Sequence, residues 1–299
     1  MGKRYESLDG LLENENHTKY NEKHKKGKII KKKINRGKNK RAKETELCII
    51  SANAAQLKNK IKSFKSVLKE ANGAVFTIQE SHYATKGKVQ IENFVVFEAI
   101  RKKAKGGTII GAHKALQPCL IQEYSDDFEL LVVEIKVENR EIKIFSGYGP
   151  QENLPENDRM PFFLALEQEI LKAELAGKSI LIEIDANSKL GSGLIPGDMH
   201  EQSVNGKVLA DIIERHGLII GNSSEKCEGL VTRKRTTKNG VEESIIDFVL
   251  LSDDLKDDIE SIKIDDKREY VLTNIIKTKT GIKKTESDHN TIFTNLKFQ

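Results

Sequence analysis

A chain of 299 residues with 37% hydrophobic and 32% charged residues, 21 Gly and only 5 Pro has the profile of an ordered globular protein with a charge-rich surface. Its net charge of +5 is unevenly spread: residues 1–45 hold fifteen Lys/Arg against six Asp/Glu, a net +9, so residues 46–299 carry thirty-five against thirty-nine, a net −4. No apolar run approaches the roughly 20 residues of a bilayer span, and Met1 to Asn16 has no apolar signal core, so membrane-embedded and secreted classes are excluded and an intracellular protein, cytoplasmic or nuclear/nucleoid-associated, is expected. Cys48, Cys119 and Cys227 are widely spaced and odd in number, which points away from a disulfide scaffold or a structural zinc site.

The chain begins with a basic segment. Lys31, Lys32, Lys33 and Arg36 sit among Gly and Asn with almost no large apolar residues, which predicts a tail at 1–45 that is disordered when free. Such a tail suits a nucleic-acid arm that adds phosphate contacts. A localisation signal or a protein partner would leave the same pattern. From residue 46 to 299 one α/β domain is expected, because strand and helix periods alternate. Leu47 to Ser51 reads as a buried strand. Leu57, Ile61, Phe64, Val67 and Leu68 then recur at helical spacing, and Asn72-Gly73 supplies the stop. Ala74 to Ile78 is the next buried strand. Phe94–Phe97, Gly107–Ala112, Pro118–Glu123, Phe128–Val137 and Glu141–Ser146 follow, with short polar connections that suit an antiparallel meander. Phe162, Phe163, Leu166, Ile170 and Leu171 form a helix stripe that ends at Gly177, and the strand Ser179–Ile184 comes after it. Val208, Leu209, Ile212, Ile213 and His216 form another stripe before the strand Leu218–Ile220. Glu243–Leu251 and Thr291–Lys297 read as late strands.

Polar residues at the strand ends carry the chemical signal, because active sites in such folds sit on loops just beyond the strands. Asn53 follows the first strand; Glu80 follows Ala-Val-Phe-Thr-Ile-Gln; Asp185 and Asn187 follow Ser-Ile-Leu-Ile-Glu-Ile; Asp247 lies within Ser-Ile-Ile-Asp-Phe-Val; Asp288-His289 precedes the last strand. A carboxylate directly after a β-branched run is expensive to bury unless it is paired or binds a metal. Taken singly, Glu80 or Asp185 at a strand end is more often a helix cap or surface carboxylate, and Tyr148 before Gly-Pro is usually a turn aromatic. His82 and His216 read as structural.

In chain order, Ser51-Ala52-Asn53, Ile78-Gln79-Glu80-Ser81-His82, Gly106-Gly107-Thr108, Tyr148-Gly149-Pro150-Gln151, Asp185-Ala186-Asn187, Asn205-Gly206 with Asn222, Ile246-Asp247-Phe248 and Ser287-Asp288-His289 together resemble the endonuclease/exonuclease/phosphatase (DNase-I-like) superfamily. The motifs are most similar to those of non-LTR retrotransposon-type and apurinic-site-type endonucleases. The resemblance implies a four-layer α/β sandwich, with two mixed β-sheets face to face and helices outside. It implies a monomeric, Mg²⁺-dependent phosphodiesterase, Mn²⁺ substituting, that nicks double-stranded DNA. Glu80, with Asn53 and Asp288, would hold the metal; Asp185 would deprotonate water, Asn187 and Tyr148 would donate to the phosphate, and Asp247 would orient His289. Arg233, Lys234, Arg235 and Lys238 form a basic stretch that could enter a DNA groove as a hairpin.

Four positions depart from the pattern. Ala55 stands where a metal-side Asp or Asn is usual, Ile184 replaces a Gly, Arg233 replaces an aromatic, and Ser244 stands where apurinic-site enzymes close a Trp on the sugar. A phosphatase acting on inositol phosphates or lipids is the alternative, disfavoured because Lys189 stands alone after the Asp185 strand. A catalytically weakened nucleic-acid-binding protein is the third reading, supported by Ala55 alone.

Overall fold

Strand alternation sets the layers. In β1 (Thr45–Asn53), Leu47 and Ile49 point to one face and Ile50 and Ala52 to the other, as successive side chains of a strand must, and both sets are buried. The computed structural model describes residues 44–100, 106–278 and 281–298. After β1 come α1 (Leu57–Glu70), β2 (Val75–Gln79), β3 (Phe94–Ala99), β4 (Thr108–His113), β5 (Cys119–Tyr124), β6 (Glu129–Val137) and β7 (Arg140–Tyr148). Then follow α2 (Glu156–Leu175), β8 (Ser179–Asp185), α3 (Val204–Arg215), β9 (Ile219–Ile220), β10 (Cys227–Glu228), β11 (Arg233–Thr237) and β12 (Gly240–Ser244). The chain closes with β13 (Asp247–Leu251), β14 (Ile259–Ile264), β15 (Thr273–Thr278), β16 (Gly281–Glu286) and β17 (Ile292–Phe298). The basic segment with Lys31, Lys32, Lys33 and Arg36 lies outside the described residues.

One sheet has the order β10-β14-β17-β1-β2-β4-β3 and the other β5-β6-β7-β8-β13-β9. Both are mixed: β1–β2 and β7–β8 are parallel, whereas β1–β17 and β8–β13 are antiparallel. Parallel neighbours need a crossover, which α1 and α2 supply. Leu47, Ile49, Val75 and Ile110 of the first sheet meet Leu131, Val133, Ile144, Leu181 and Val249 of the second in the layer between them. On the outer face of the first sheet, Leu57, Phe64, Val67 and Leu68 of α1 pack on Ile50, Ala52 and Phe76. Phe162, Phe163, Leu166 and Ile170 of α2, with Leu209, Ile212 and Ile213 of α3, cover the second sheet. This is the four-layer α/β sandwich, each fully buried large apolar side chain contributing about 1.5–3 kcal/mol. No helix among the described residues is long and apolar enough to cross a membrane.

The strands from Phe94 to Ser146 do not make one meander. β3 and β4 pair in the first sheet and β5, β6 and β7 in the second, because the chain changes sheets through the short turn Lys114–Leu116. Leu171 is 48% exposed, since it sits about 100° round the helix from the buried Ile170. The stretch Glu243–Leu251 breaks at Ile245-Ile246, where the backbone N–H groups of Ile246 and Asp247 both donate to Thr232 Oγ1, at 3.0 and 3.1 Å. β12 therefore leaves with β11 as a two-stranded antiparallel ribbon, and β13 enters the second sheet.

Toward one end, the inter-sheet layer turns polar. On the inner face of β8, Leu181 is followed by Glu183 and then Asp185. Glu183 is fully buried, and its carboxyl oxygens accept from Thr294 Oγ1 at 2.8 Å and Thr77 Oγ1 at 3.2 Å. Burial pushes its carboxyl up from 4.5 to about 7, with the two hydroxyls opposing the shift. The folded state thus keeps a proton up to about pH 7 that the unfolded chain releases near 4.5, so stability falls as pH rises through that window. A shift of this size corresponds to at most about 3 kcal/mol. In urea titrations at pH 5 and pH 8, Glu183→Gln is expected to lose a slope of that order relative to the wild type. Equal pH dependence in the two proteins would mean that Glu183 is ionised in the fold.

Candidate active site

The same alternation carries the polar side chains to one end of the sandwich. Inner positions run Leu47, Ile49, Ser51, Asn53 in β1 and Val75, Thr77, Gln79 in β2. In β13, which runs against β8, they run Leu251, Val249, Asp247. Register then aligns the ends: Tyr148 pairs with Asp185 across β7–β8, and Asp185 with Asp247 across β8–β13. In the facing sheet Asn53 pairs with Gln79, and Glu80 is the next residue. The loop before β17 brings Asp288 and His289. Glu80, Tyr148, Asn187, Arg233, Asp288 and His289 line a cleft of about 580 Å³ at this end.

Asn53 ties the two sheets together. Its Nδ2 donates to Glu80 Oε1 at 3.1 Å and to Asp185 Oδ2 at 2.7 Å, while its Oδ1 accepts from the Ala55 N–H at 2.9 Å. The Asn187 N–H donates to Asp185 Oδ1 at 3.0 Å, and Asn187 Nδ2 to the Gly149 carbonyl at 2.9 Å. Tyr148 lines the cleft beside Glu80 and Asn187. His289 Nδ1 lies 3.0 Å from both oxygens of Asp247, and its Nε2 lies 3.8 Å from Asp185 Oδ2. Asp288 turns to Arg233, whose Nε donates to Oδ2 at 2.9 Å. Glu80 and Asn187 both have left-handed backbones, φ 49° and 45°, a conformation Asn tolerates better than Glu. Glu80 is held there by its neighbours: the Ser81 and His82 N–H groups donate to the Gly107 and Gly106 carbonyls at 3.0 and 2.9 Å.

Burial is the main electrostatic force on these groups. It raises the Tyr148 hydroxyl, helped by the Glu80 and Asp185 charges, so Tyr148 stays a donor. Burial also raises the Asp185 carboxyl, with Asp247 adding to it and His289 and the Asn53 hydrogen bond opposing. For the His289 ring, burial favours the neutral form, but the Asp247 carboxylate and then Asp185 outweigh it and hold the ring up at about 9. The imidazole is therefore cationic at neutral pH. Burial would raise Asp288, yet the His289 and Arg233 charges hold it below its ordinary value.

Asn53, Glu80, Tyr148, Asp185, Asn187, Asp247, Asp288 and His289 thus meet in one place. Arg233 and Arg235 reach the same cleft, whereas Lys234 pairs with Glu243 at 2.6 Å along the ribbon and Lys238 is exposed at its turn. Other motif residues have structural work. Asn222 donates to the Asp247 carbonyl at 3.0 Å and accepts from the Val249 N–H at 2.9 Å, which fixes β13. Gly206 lies so close to the Lys189 carbonyl that an added Cβ would sit 1.8 Å from its oxygen. Two residues to which the sequence reading gave no part in catalysis sit beside the site. His82 Nε2 lies 3.3 Å from Glu80 Oε2, and Ser287 Oγ donates to the Asn53 carbonyl at 2.7 Å. The Ser287 hydroxyl is within the Ser-Asp-His motif, but no periodicity marks it.

Two sets of side chains could hold a cation. Asp185, Asp247 and His289 offer ligand atoms within 4.8 Å of one another. There, however, the ring already holds both Asp247 oxygens through Nδ1, and a cationic imidazole has no lone pair to give. Glu80 and Asp288 are the partly exposed carboxylates, at 23% and 33%, and their oxygens are the hard donors that Mg²⁺ or Mn²⁺ takes. The donor set fits a hard divalent ion at Glu80 and Asp288.

No family model and no curated protein sequence matches the chain. Solved structures do. The endonuclease domain of TRAS1, a telomere-specific non-LTR retrotransposon, is similar with a TM-score of 0.61 and 19% identity, covering 84% of this chain and 98% of that one. The AP endonuclease LMAP from Leishmania major is similar with a TM-score of 0.63 and 11% identity over 85% of this chain and 88% of that one. The 3'-5' exonuclease NExo from Neisseria meningitidis has a TM-score of 0.61 and 14% identity over 84% and 99%. At these identities the likeness shows the fold, which is that of the DNase-I-like endonuclease/exonuclease/phosphatase proteins.

Proposed function

We propose that this chain, built on the DNase-I-like sandwich, is a divalent-metal-dependent phosphodiesterase that nicks duplex DNA by water attack on the phosphate. The observation that carries the reading is the convergence of Glu80, Asp185, Asn187, Tyr148 and the Asp247–His289 pair at one end of the inter-sheet layer. An anionic diester reacts with water when a base takes the water's proton and donors meet the charge growing on the nonbridging oxygens. Asp185, raised by burial, is the base. The Tyr148 hydroxyl and the Asn187 amide donate to the nonbridging oxygens. Asp247 holds His289 in one orientation, so a cationic Nε2–H faces the phosphate. Glu80 and Asp288, supported by Asn53, would hold Mg²⁺ or Mn²⁺, which supplies positive charge to the phosphate when bound.

Arg233, Arg235 and Lys238 on the ribbon, together with the tail residues Lys31, Lys32, Lys33 and Arg36, would add backbone contacts whose strength falls with salt. Two observations favour DNA. The segment after Asp185 offers Lys189 as its one nearby basic side chain, too little to grip the ring phosphates of an inositol polyphosphate. Among the similar structures, NExo is bound to a product DNA hairpin.

Supercoiled plasmid provides the test. Nicked circles are expected with Mg²⁺ and none in excess chelator, because Glu80 and Asp288 form an acidic mouth that repels an unscreened phosphate. Undiminished nicking under chelation would sink the metal mechanism.

A further inference from the structure

A buried ammonium stands behind the acidic centre, and none of the roles above uses it. Lys60, in the first turn of α1, is 5% exposed, a burial that lysine almost never reaches without partners. Its Nζ donates to the carbonyl of Ala54, at 2.9 Å, and to that of Ala55. Those carbonyls belong to the turn after Asn53, where Ala55 and Gln56 both adopt left-handed backbones, φ 39° and 87°. Two such residues in succession are costly for side chains with a Cβ, and they persist only where the surroundings over-determine them.

This turn is what presents the site. The Ala55 N–H holds Asn53 Oδ1 at 2.9 Å, the Ala54 N–H donates to the Gln79 carbonyl at 2.9 Å, and the Gln56 N–H to the Glu80 carbonyl at 2.9 Å. Lys60 therefore grips from behind the loop that carries Asn53 and, through it, the backbone of Glu80. Two of its three protons go to the carbonyls, and the third has no acceptor among the described residues.

Charge gives the lysine a second task. Four carboxylates meet here, Glu80, Asp185, Asp247 and Asp288. Asp247 is matched by His289 and Asp288 by Arg233. Behind the centre, burial pulls the Lys60 ammonium below its ordinary value, while the charges of Asp288 and Glu80 oppose that shift and favour the cation.

We infer that Lys60 is a positioning residue and a fixed cation behind this centre: it clamps the Asn53–Gln56 turn, and its ammonium weakens the hold of Glu80 and Asp288 on a divalent ion. The inference rests on the phosphodiesterase reading. Mn²⁺ binding to the full chain, followed by electron paramagnetic resonance of the free ion, tests it alongside plasmid nicking. Lys60→Gln keeps a donor for the carbonyls and drops the charge; it is expected to bind Mn²⁺ about tenfold more tightly, since a nearby positive charge is gone. Its kcat should drop by about tenfold, with KM little changed, from loss of positioning. Lys60→Arg, with the charge retained, should bind Mn²⁺ as the wild type does.

A lysine that merely props up the turn would lose metal affinity and activity together. Weaker or unchanged Mn²⁺ binding in folded Lys60→Gln, checked by circular dichroism, overturns the proposal. Lys60→Met carries the same test if the Gln variant does not fold. A wild type that neither binds Mn²⁺ nor nicks DNA defeats the parent reading, and the role of Lys60 with it. A wild type that does both, beside neutral variants of unchanged affinity, defeats the role of Lys60 alone.

Discussion

Asp185→Asn is expected to lower the rate of plasmid nicking by about 10²-fold or more, the contribution of a positioned general base. The substitution keeps the shape of the side chain and an oxygen for the Asn187 N–H, which Asp185 now receives at 3.0 Å. It forfeits the hydrogen bond from Asn53 Nδ2, at 2.7 Å, because two amide N–H groups would face one another. Against that loss stands the removal of a buried carboxylate, whose charge the interior disfavours. Thermal stability near pH 8 should therefore stay close to that of the wild type while turnover is lost. Such a separation of activity from stability is what a functional, strained group produces. Near-normal nicking by folded Asp185→Asn would reject Asp185 as the base.

The second large effect concerns the pair Asp247 and His289. His289→Ala is expected to cost about 10²-fold or more, as it removes the cation facing the phosphate. Asp247→Ala should come close to this loss, because the contact Asp247 makes with the catalytic groups is with His289 Nδ1, 3.0 Å from each of its oxygens, and its charge acts on Asp185 without a hydrogen bond. The double variant should then be no worse than His289→Ala, since residues that act as a unit are non-additive. Multiplying losses would show two independent roles. The pH profile gives a further reading. The ring is charged below about 9, so the rate should fall as pH rises through that value. Asp247→Asn leaves burial less opposed, and the alkaline fall should move to lower pH.

Local sequence determined the elements that hold the site. The run Ser179–Glu183 is apolar and β-branched enough to be a buried strand, and that alone put Asp185 at a strand end with Asn187 just beyond. Leu57, Phe64, Val67 and Leu68 marked α1 by their spacing. Other strands left no mark. β14 has a bulge between Ile259 and Ser261, which breaks the two-residue period a sequence reader looks for. β16 is exposed along its length and pairs only with β15, so no apolar face advertises it. Ribbon residues Arg233 and Lys234 were legible as a basic stretch, but not their partners Asp288 and Glu243, which pairing brought from elsewhere in the chain.

Lys60 marks the boundary between the two kinds of information. In sequence it is one of five lysines in α1; helical spacing puts it on the face of Leu57, Phe64 and Val67, opposite the exposed Lys58, Lys62, Lys65 and Lys69, but names no partner for its charge. The Ala54–Gln56 turn folds its carbonyls back over the helix start, and only this buries the ammonium and supplies its acceptors. The alignment of Tyr148, Asp185 and Asp247 across three strands is likewise a matter of register. Sequence specified which residues sit at strand ends, because the strand period is local and two residues long. Which ends meet was decided by inter-strand register and by the closure of the two sheets, since those depend on contacts between segments as far apart as Ser287 and Asn53, 234 residues.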